Sequence, residues 1–118
     1  MRITVFGASG YSGGHIATEA LNRGIEVVGV ARDVAKVPAG ATAEAGDVTD
    51  PAFVARAVEG AAVIVSALPT AAPSDTGTEL RTALEALVAA ARSTGARLGV
   101  VGGAGSLLVA EDGPKLVD

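Results

Sequence analysis

Glycines close to the N-terminus have a spacing that can do chemistry: Gly7, Gly10 and Gly13, in the run Gly7-Ala8-Ser9-Gly10-Tyr11-Ser12-Gly13. Ahead of them, Arg2 to Phe6 carries Ile3, Val5 and Phe6 and reads as a strand. Behind them, Tyr11 to Arg23 reads as a helix with Ile16, Ala17, Ala20 and Leu21 on one side, stopped at Gly24. Strand, glycine loop and helix in that order make a seat for a pyrophosphate. Gly7 permits the sharp turn, Gly10 lets backbone approach the phosphates, and Gly13 lets the helix pack close to the sheet. The helix start offers free N–H groups and a partial positive charge. Ser9 and Ser12 add hydroxyls, and Tyr11 stands in the same loop. Glycines at this spacing also serve as plain turn residues, but their place between a strand and a helix favours the phosphate reading.

The kind of dinucleotide is read at the end of the next strand, Ile25 to Ala31. NAD sites place an Asp or Glu there to accept from the ribose 2′-hydroxyl. This chain has Ala31-Arg32-Asp33. Arg32 stands where a guanidinium clamps a 2′-phosphate, so NADP is the expected cofactor. Asp33 keeps NAD open from a shifted position. Gly46-Asp47-Val48 ends the third strand beside the expected adenine, where the Asp47 side chain or the Val48 backbone can touch the ring. Asp47 reads equally well as a turn residue bonded to its own backbone. Ser66, Ala67, Leu68 and Pro69 end the fourth strand and are expected to line the far side of the pyrophosphate and ribose; the other reading is ordinary strand-end residues.

The elements that must position these residues alternate between short β-rich runs and longer helical ones. Ile25, Val27, Val28 and Val30 form the nearly continuous apolar run of a strand buried on both faces. Ala41 to Ala45 is a weaker third strand, followed by an Asp50 N-cap, Pro51 at the first helical position and Phe53, Val54, Ala57 and Val58 turned inward. Ala61 to Ala67 is the fourth strand. Thr78 to Thr94 is the clearest helix, with Leu80, Leu84, Leu87, Val88 and Ala91 at helical spacing, and Leu98 to Val101 is the fifth strand. The fold class is α/β: a Rossmann-like, doubly wound parallel sheet, strand order 3-2-1-4-5, helices on both faces. From Ser106 onward the pattern is weak, with a short extended piece around Leu107 to Val109. The fifth strand is therefore expected to be a sheet edge, and an unpaired apolar edge predicts a homodimer. The 118 residues fit one NAD(P)-binding domain.

These segments, together with Val100-Val101-Gly102-Gly103-Ala104-Gly105-Ser106-Leu107, resemble the atypical short-chain dehydrogenase/reductase group. Within it the chain is most similar to the NAD(P)H-binding family of the Rrf2-linked NADH-flavin reductases and, more distantly, the biliverdin reductase B-like flavin reductases. The likeness covers nearly the whole chain. It implies a reductase that passes hydride from a nicotinamide cofactor to a flavin, quinone or similar conjugated acceptor. It also brings Ser106 near the position of the group's catalytic serine. Relatives continue past this point with elements that close the substrate side. The expectation is therefore a dinucleotide-binding half: a piece, a naturally short form, or a site completed by a partner. Ordinary members of the group use a Tyr–Lys pair four apart as general acid. The only tyrosine here is Tyr11 and the first lysine is Lys36, so the usual alcohol or sugar chemistry is disfavoured. Flavin reduction needs two stacked rings held in place rather than that pair. An NmrA-like, non-catalytic redox sensor and an incomplete nucleotide-binding module are the alternatives.

The opening residues are also similar to the start of the N-acetyl-glutamyl-phosphate reductases, whose cysteine nucleophile this cysteine-free chain lacks. The absence of cysteine fits a reducing cytoplasm. A net charge of −4 and aromatic residues limited to Phe6, Tyr11 and Phe53 argue against a nucleic-acid partner. No run reaches the length of a membrane span, and no cluster has metal-ligand spacing.

Overall fold

The computed structural model describes residues 1–68, 78–101, 107–110 and 114–116. Its elements are β1 (Arg2–Phe6), α1 (Tyr11–Asn22), β2 (Glu26–Ala31), β3 (Thr42–Ala45), α2 (Pro51–Ala57), β4 (Val63–Ser66), α3 (Thr78–Thr94), β5 (Arg97–Val101), β6 (Leu107–Ala110) and β7 (Pro114–Leu116). A short 3-10 helix, η1 (Val34–Lys36), lies between β2 and β3 and was not anticipated from the sequence pattern. Local chemistry accounts for the boundaries. The Asp50 carboxylate accepts from the Ala52 N–H at 3.0 Å and Pro51 opens α2, which satisfies one of the donors that every helix start leaves free.

The sheet runs β3-β2-β1-β4-β5-β6-β7. β1 to β5 are parallel, in the expected order, and β6 and β7 add antiparallel strands beyond them. This corrects one expectation. β5 is not an edge, because Leu98 to Val101 pair along β6, Val101 with Leu107 and Leu98 with Ala110. The weak apolar piece at Leu107 suffices for a strand once β5 offers it a template. The edge argument for a homodimer therefore does not hold at β5. Pro114 begins β7, a position where a missing N–H is tolerated.

The two-residue period of the strands divides the core in two. Ile3, Val5 and Val27 face Ala17 and Ala20 of α1, with Val37 and Ala41 beside them. Phe6, Val28, Val30, Ile64 and Leu98 face α2 and α3, meeting Phe53, Val54, Ala57, Leu87 and Ala91. On α3 the buried stripe is wider than the leucine pattern suggested, because Ala83 and Ala90 are buried too. Thr4, fully buried on the α2 side, stays compatible with this core because its hydroxyl donates to the Ala57 carbonyl at 3.0 Å. At the opposite end of the sheet from the glycine loop, Arg2 donates to Glu26 and to the Glu59 carbonyl, joining β1, β2 and the end of α2.

Ile64 lies on the central β4, wholly enclosed and in register with Thr4 and Leu98. Ile64→Ala is expected to cost about 2–5 kcal/mol of folding stability, read from urea denaturation. A loss below about 0.5 kcal/mol would contradict the packing described.

Candidate dinucleotide-binding site

The register brings the carboxyl ends of four strands level. Phe6 pairs with Val30 and with Ser66, and Ala31 pairs with Ala45. The segments beginning at Gly7, Arg32, Gly46 and Ala67 therefore leave the sheet at one edge. β2 and β3 lie to one side of β1 and β4 to the other, so this edge holds the crevice at which doubly wound sheets take ligands.

The glycine loop is anchored from below. The Val30 carbonyl accepts from both Gly7 N–H (2.9 Å) and Ala8 N–H (3.1 Å), and Gly10 N–H donates back to the Gly7 carbonyl. Gly7 has φ of 86°, and a Cβ there would stand 2.6 Å from the Ala67 carbonyl oxygen. The loop can thus leave β1 only as glycine, with the start of the β4 loop pressed against it. A Cβ on Gly13 would run into the Gly7 carbonyl. Gly13 thereby allows the first turn of α1 to sit directly over the strand end. Its helix begins at Gly10 with no side-chain cap and no acidic residue in the first turn. The first intrahelical bond of the turn is Gly14 N–H to the Gly10 carbonyl, so the N–H groups of Tyr11, Ser12 and Gly13 precede the ladder. This uncapped, glycine-lined terminus is a cradle that side chains would fill, and it fits a pyrophosphate.

The remaining predicted residues divide into distinct roles. Ser9 is half-buried; Ser12 and Tyr11 are exposed, Tyr11 resting edge-on against His15 with ring centroids 4.5 Å apart. Arg32 is exposed, and among the described residues its guanidinium has no hydrogen bond or ion pair. Asp33 caps η1, its carboxylate accepting from Ala35 N–H at 3.0 Å. Asp47 accepts from Thr49 through both the hydroxyl (2.6 Å) and the N–H (2.9 Å), which realises the turn reading of this residue. Those two bonds, with a smaller contribution from the Arg32 charge, hold the Asp47 carboxyl below the usual aspartate value. Val48 and Leu68 are half-buried against the α2–α3 core. Ser66 is 1% exposed, so its hydroxyl is sealed inside while the backbone of Ala67 and Leu68 borders the crevice. Pro69 and Ser106 lie outside the described residues. Two participants escaped the sequence reading. Thr49 was signalled by its place two residues after Asp47; the Val30 carbonyl, a backbone atom, has no signature at all. Among the described residues no group of His, Asp or Glu has the geometry to hold a metal, and no helix is long and apolar enough to cross a membrane.

A family model described as NAD(P)H-binding matches residues 7–115. The chain belongs to this NAD(P)H-binding family. No functionally curated protein matches it at a significant level. Among solved structures, a candidate exported protein from Burkholderia pseudomallei is 36% identical with a TM-score of 0.71, over 90% of this chain and 50% of that one. A candidate epimerase from Bacteroides thetaiotaomicron is 29% identical with a TM-score of 0.73, over 89% and 48%. UDP-glucose 4-epimerase from Thermus thermophilus, solved with NAD, is 23% identical with a TM-score of 0.72 over 98% and 45%, a likeness of fold. The chain thus spans half or less of the length of these three proteins.

Gly13→Ala is expected to weaken dinucleotide binding at least about tenfold while circular dichroism stays native, because the clash is met by displacing the loop rather than the sheet. Unchanged affinity by calorimetry would show that the loop is not the phosphate seat. Asp47 is expected to titrate below an ordinary aspartate by NMR, and Thr49→Val to raise its midpoint. Since the folded value is the depressed one, the turn's contribution to stability is present above the ordinary aspartate value and fades as pH falls through the folded one.

Proposed function

We propose that the chain binds NADPH in preference to NADH and forms the nucleotide-binding part of a reductase acting on a flavin, quinone or similar flat conjugated acceptor. One observation carries the cofactor preference. Asp33, the residue that would read a ribose 2′-hydroxyl, is bonded to Ala35 as the cap of η1, whereas Arg32 beside it makes no bond among the described residues. A guanidinium that makes no hydrogen bond among the described residues, at a strand end, can receive a 2′-phosphate through two parallel N–H bonds. The uncapped start of α1 supports the same reading from the other side of the crevice. NADPH, when bound, supplies hydride. The chain's own residues seat the phosphates at Gly7 to Gly13, hold the ribose end at Arg32, and border the crevice with Ala67 and Leu68. Transfer between stacked rings asks mainly for such placement. The cysteine-free composition suits a cytoplasmic setting.

Calorimetric titration at equal ionic strength is expected to give tighter binding of NADPH than of NADH. Arg32→Ala should weaken NADPH by roughly tenfold and leave NADH nearly unchanged. Stronger NADH binding would transfer the reading role to Asp33. Oxidation of NADPH in the presence of added flavin or quinone tests the acceptor class. Tight binding with no turnover on any of these acceptors would favour a redox sensor instead.

A further inference from the structure

Gly29 lies in the middle of β2, in register with Val5 of β1 and Ala43 of β3 and flanked by the core residues Val28 and Val30. A strand interior has no conformational need of glycine, and a glycine there often marks a close approach by something else. At Gly29 two segments make that approach. A Cβ on it would stand 2.7 Å from Val37 Cγ1 and 3.0 Å from Ala8 Cβ. Ala8 belongs to the glycine loop, is fully enclosed, and donates to the Val30 carbonyl. Val37 closes η1, its N–H bonded to the Val34 carbonyl, and the same 3-10 helix is capped by Asp33 next to Arg32. The phosphate-seating loop and the turn that carries Arg32 thus rest against one point of β2.

We propose that Gly29 is a positioning residue for the dinucleotide site: the notch left by its missing side chain sets the spacing between the glycine loop and the Arg32 turn. The inference rests on the dinucleotide reading given above. The backbone of β2 is held by ladders on both sides, so it cannot yield to an added methyl. Val37 is β-branched and stiff at its first side-chain torsion, and Ala8 has no torsion to turn. A Cβ at residue 29 therefore pushes the loop and the turn away from β2, and from each other. A ligand that bridges them loses affinity, while a ligand that touches one end does not.

The test compares the wild-type chain, Gly29→Ala, Val37→Ala and the double variant. NADPH is the bridging probe; adenosine 2′-monophosphate and inorganic pyrophosphate are the single-end probes, followed by NMR shift titration. Gly29→Ala is expected to weaken NADPH about tenfold and each single-end probe by less than about twofold. The double variant, which removes the closer clash, recovers most of the NADPH affinity. Val37→Ala alone, which loosens the turn without crowding β2, lowers the preference for NADPH over NADH and keeps the proposal testable if Gly29→Ala does not fold. Wild-type NADPH affinity in Gly29→Ala, an equal loss for all three probes, or an unchanged NADPH preference in Val37→Ala would each overturn it. A wild-type chain that binds no dinucleotide would instead overturn the underlying reading, and this inference with it.

Discussion

Backbone meets backbone at the end of β1, at distances that leave no room for side chains. The Gly7 carbonyl stands where a Gly13 Cβ would be, and the Ala67 carbonyl stands where a Gly7 Cβ would be. The first turn of α1, the end of β1 and the start of the β4 loop are drawn together at this point. The Val30 carbonyl completes the arrangement by accepting from both Gly7 and Ala8. The loop can hold this shape without a ligand because its polar groups are already paired on the sheet side. The N–H groups of Tyr11, Ser12 and Gly13 precede the ladder at the start of an uncapped helix. A binding site that does not have to be assembled when the ligand arrives loses less affinity to ordering.

The layered core serves that point. α1 packs on one face through small residues, Ala17 and Ala20, which bring the helix close to Ile3, Val5 and Val27. The opposite face uses larger side chains, Phe6, Phe53, Ile64 and Leu87, and does the greater share of apolar burial. The division lets an alanine-rich sequence fill both faces of the sheet. Alanine sits where close approach matters, and bulk sits where volume must be filled. Between β2 and β3 the connection contains only η1, and Val37 with Ala41 closes that side of the smaller core. The segment that carries Arg32 and Asp33 is thereby tied to the sheet rather than to a helix.

Electrostatics at the crevice are asymmetric. Beyond the ends of β2 and β3 one guanidinium, that of Arg32, stands among carboxylates whose bonding capacity is partly used, Asp33 by Ala35 and Asp47 by Thr49. These local bonds fix the carboxylates in place, and among the described residues the Arg32 guanidinium makes no hydrogen bond or ion pair. On the phosphate side the positive potential comes from backbone dipoles rather than side chains. Anion binding here therefore does not require a basic protein, which accords with the net charge of −4.

Much of this was written into the chain locally. The apolar alternation of β1 and β2, the Asp50-Pro51 start of α2 and the leucine spacing of α3 each depend on near neighbours, and each element formed where its pattern lies. The glycine spacing between β1 and α1 was legible for the same reason. Other features belonged to the tertiary structure. β6 exists because β5 offers it a ladder, and a short apolar stretch does not reveal such a template. Asp33 and Asp47 are identical as residue types; the local turn was one of two readings open for Asp47 in the sequence, whereas the η1 cap at Asp33 was seen only in the structure. Gly29 looked like an ordinary member of an apolar run until Ala8 and Val37, brought in from two separate loops, came to rest on it. The sequence by itself determined the elements and the kind of site, because periodicity, capping and turn chemistry act within a few residues. The tertiary structure alone decided where β6 pairs, what rests on Gly29 and which backbone groups meet at the end of β1, because those contacts join segments that meet only when the sheet assembles.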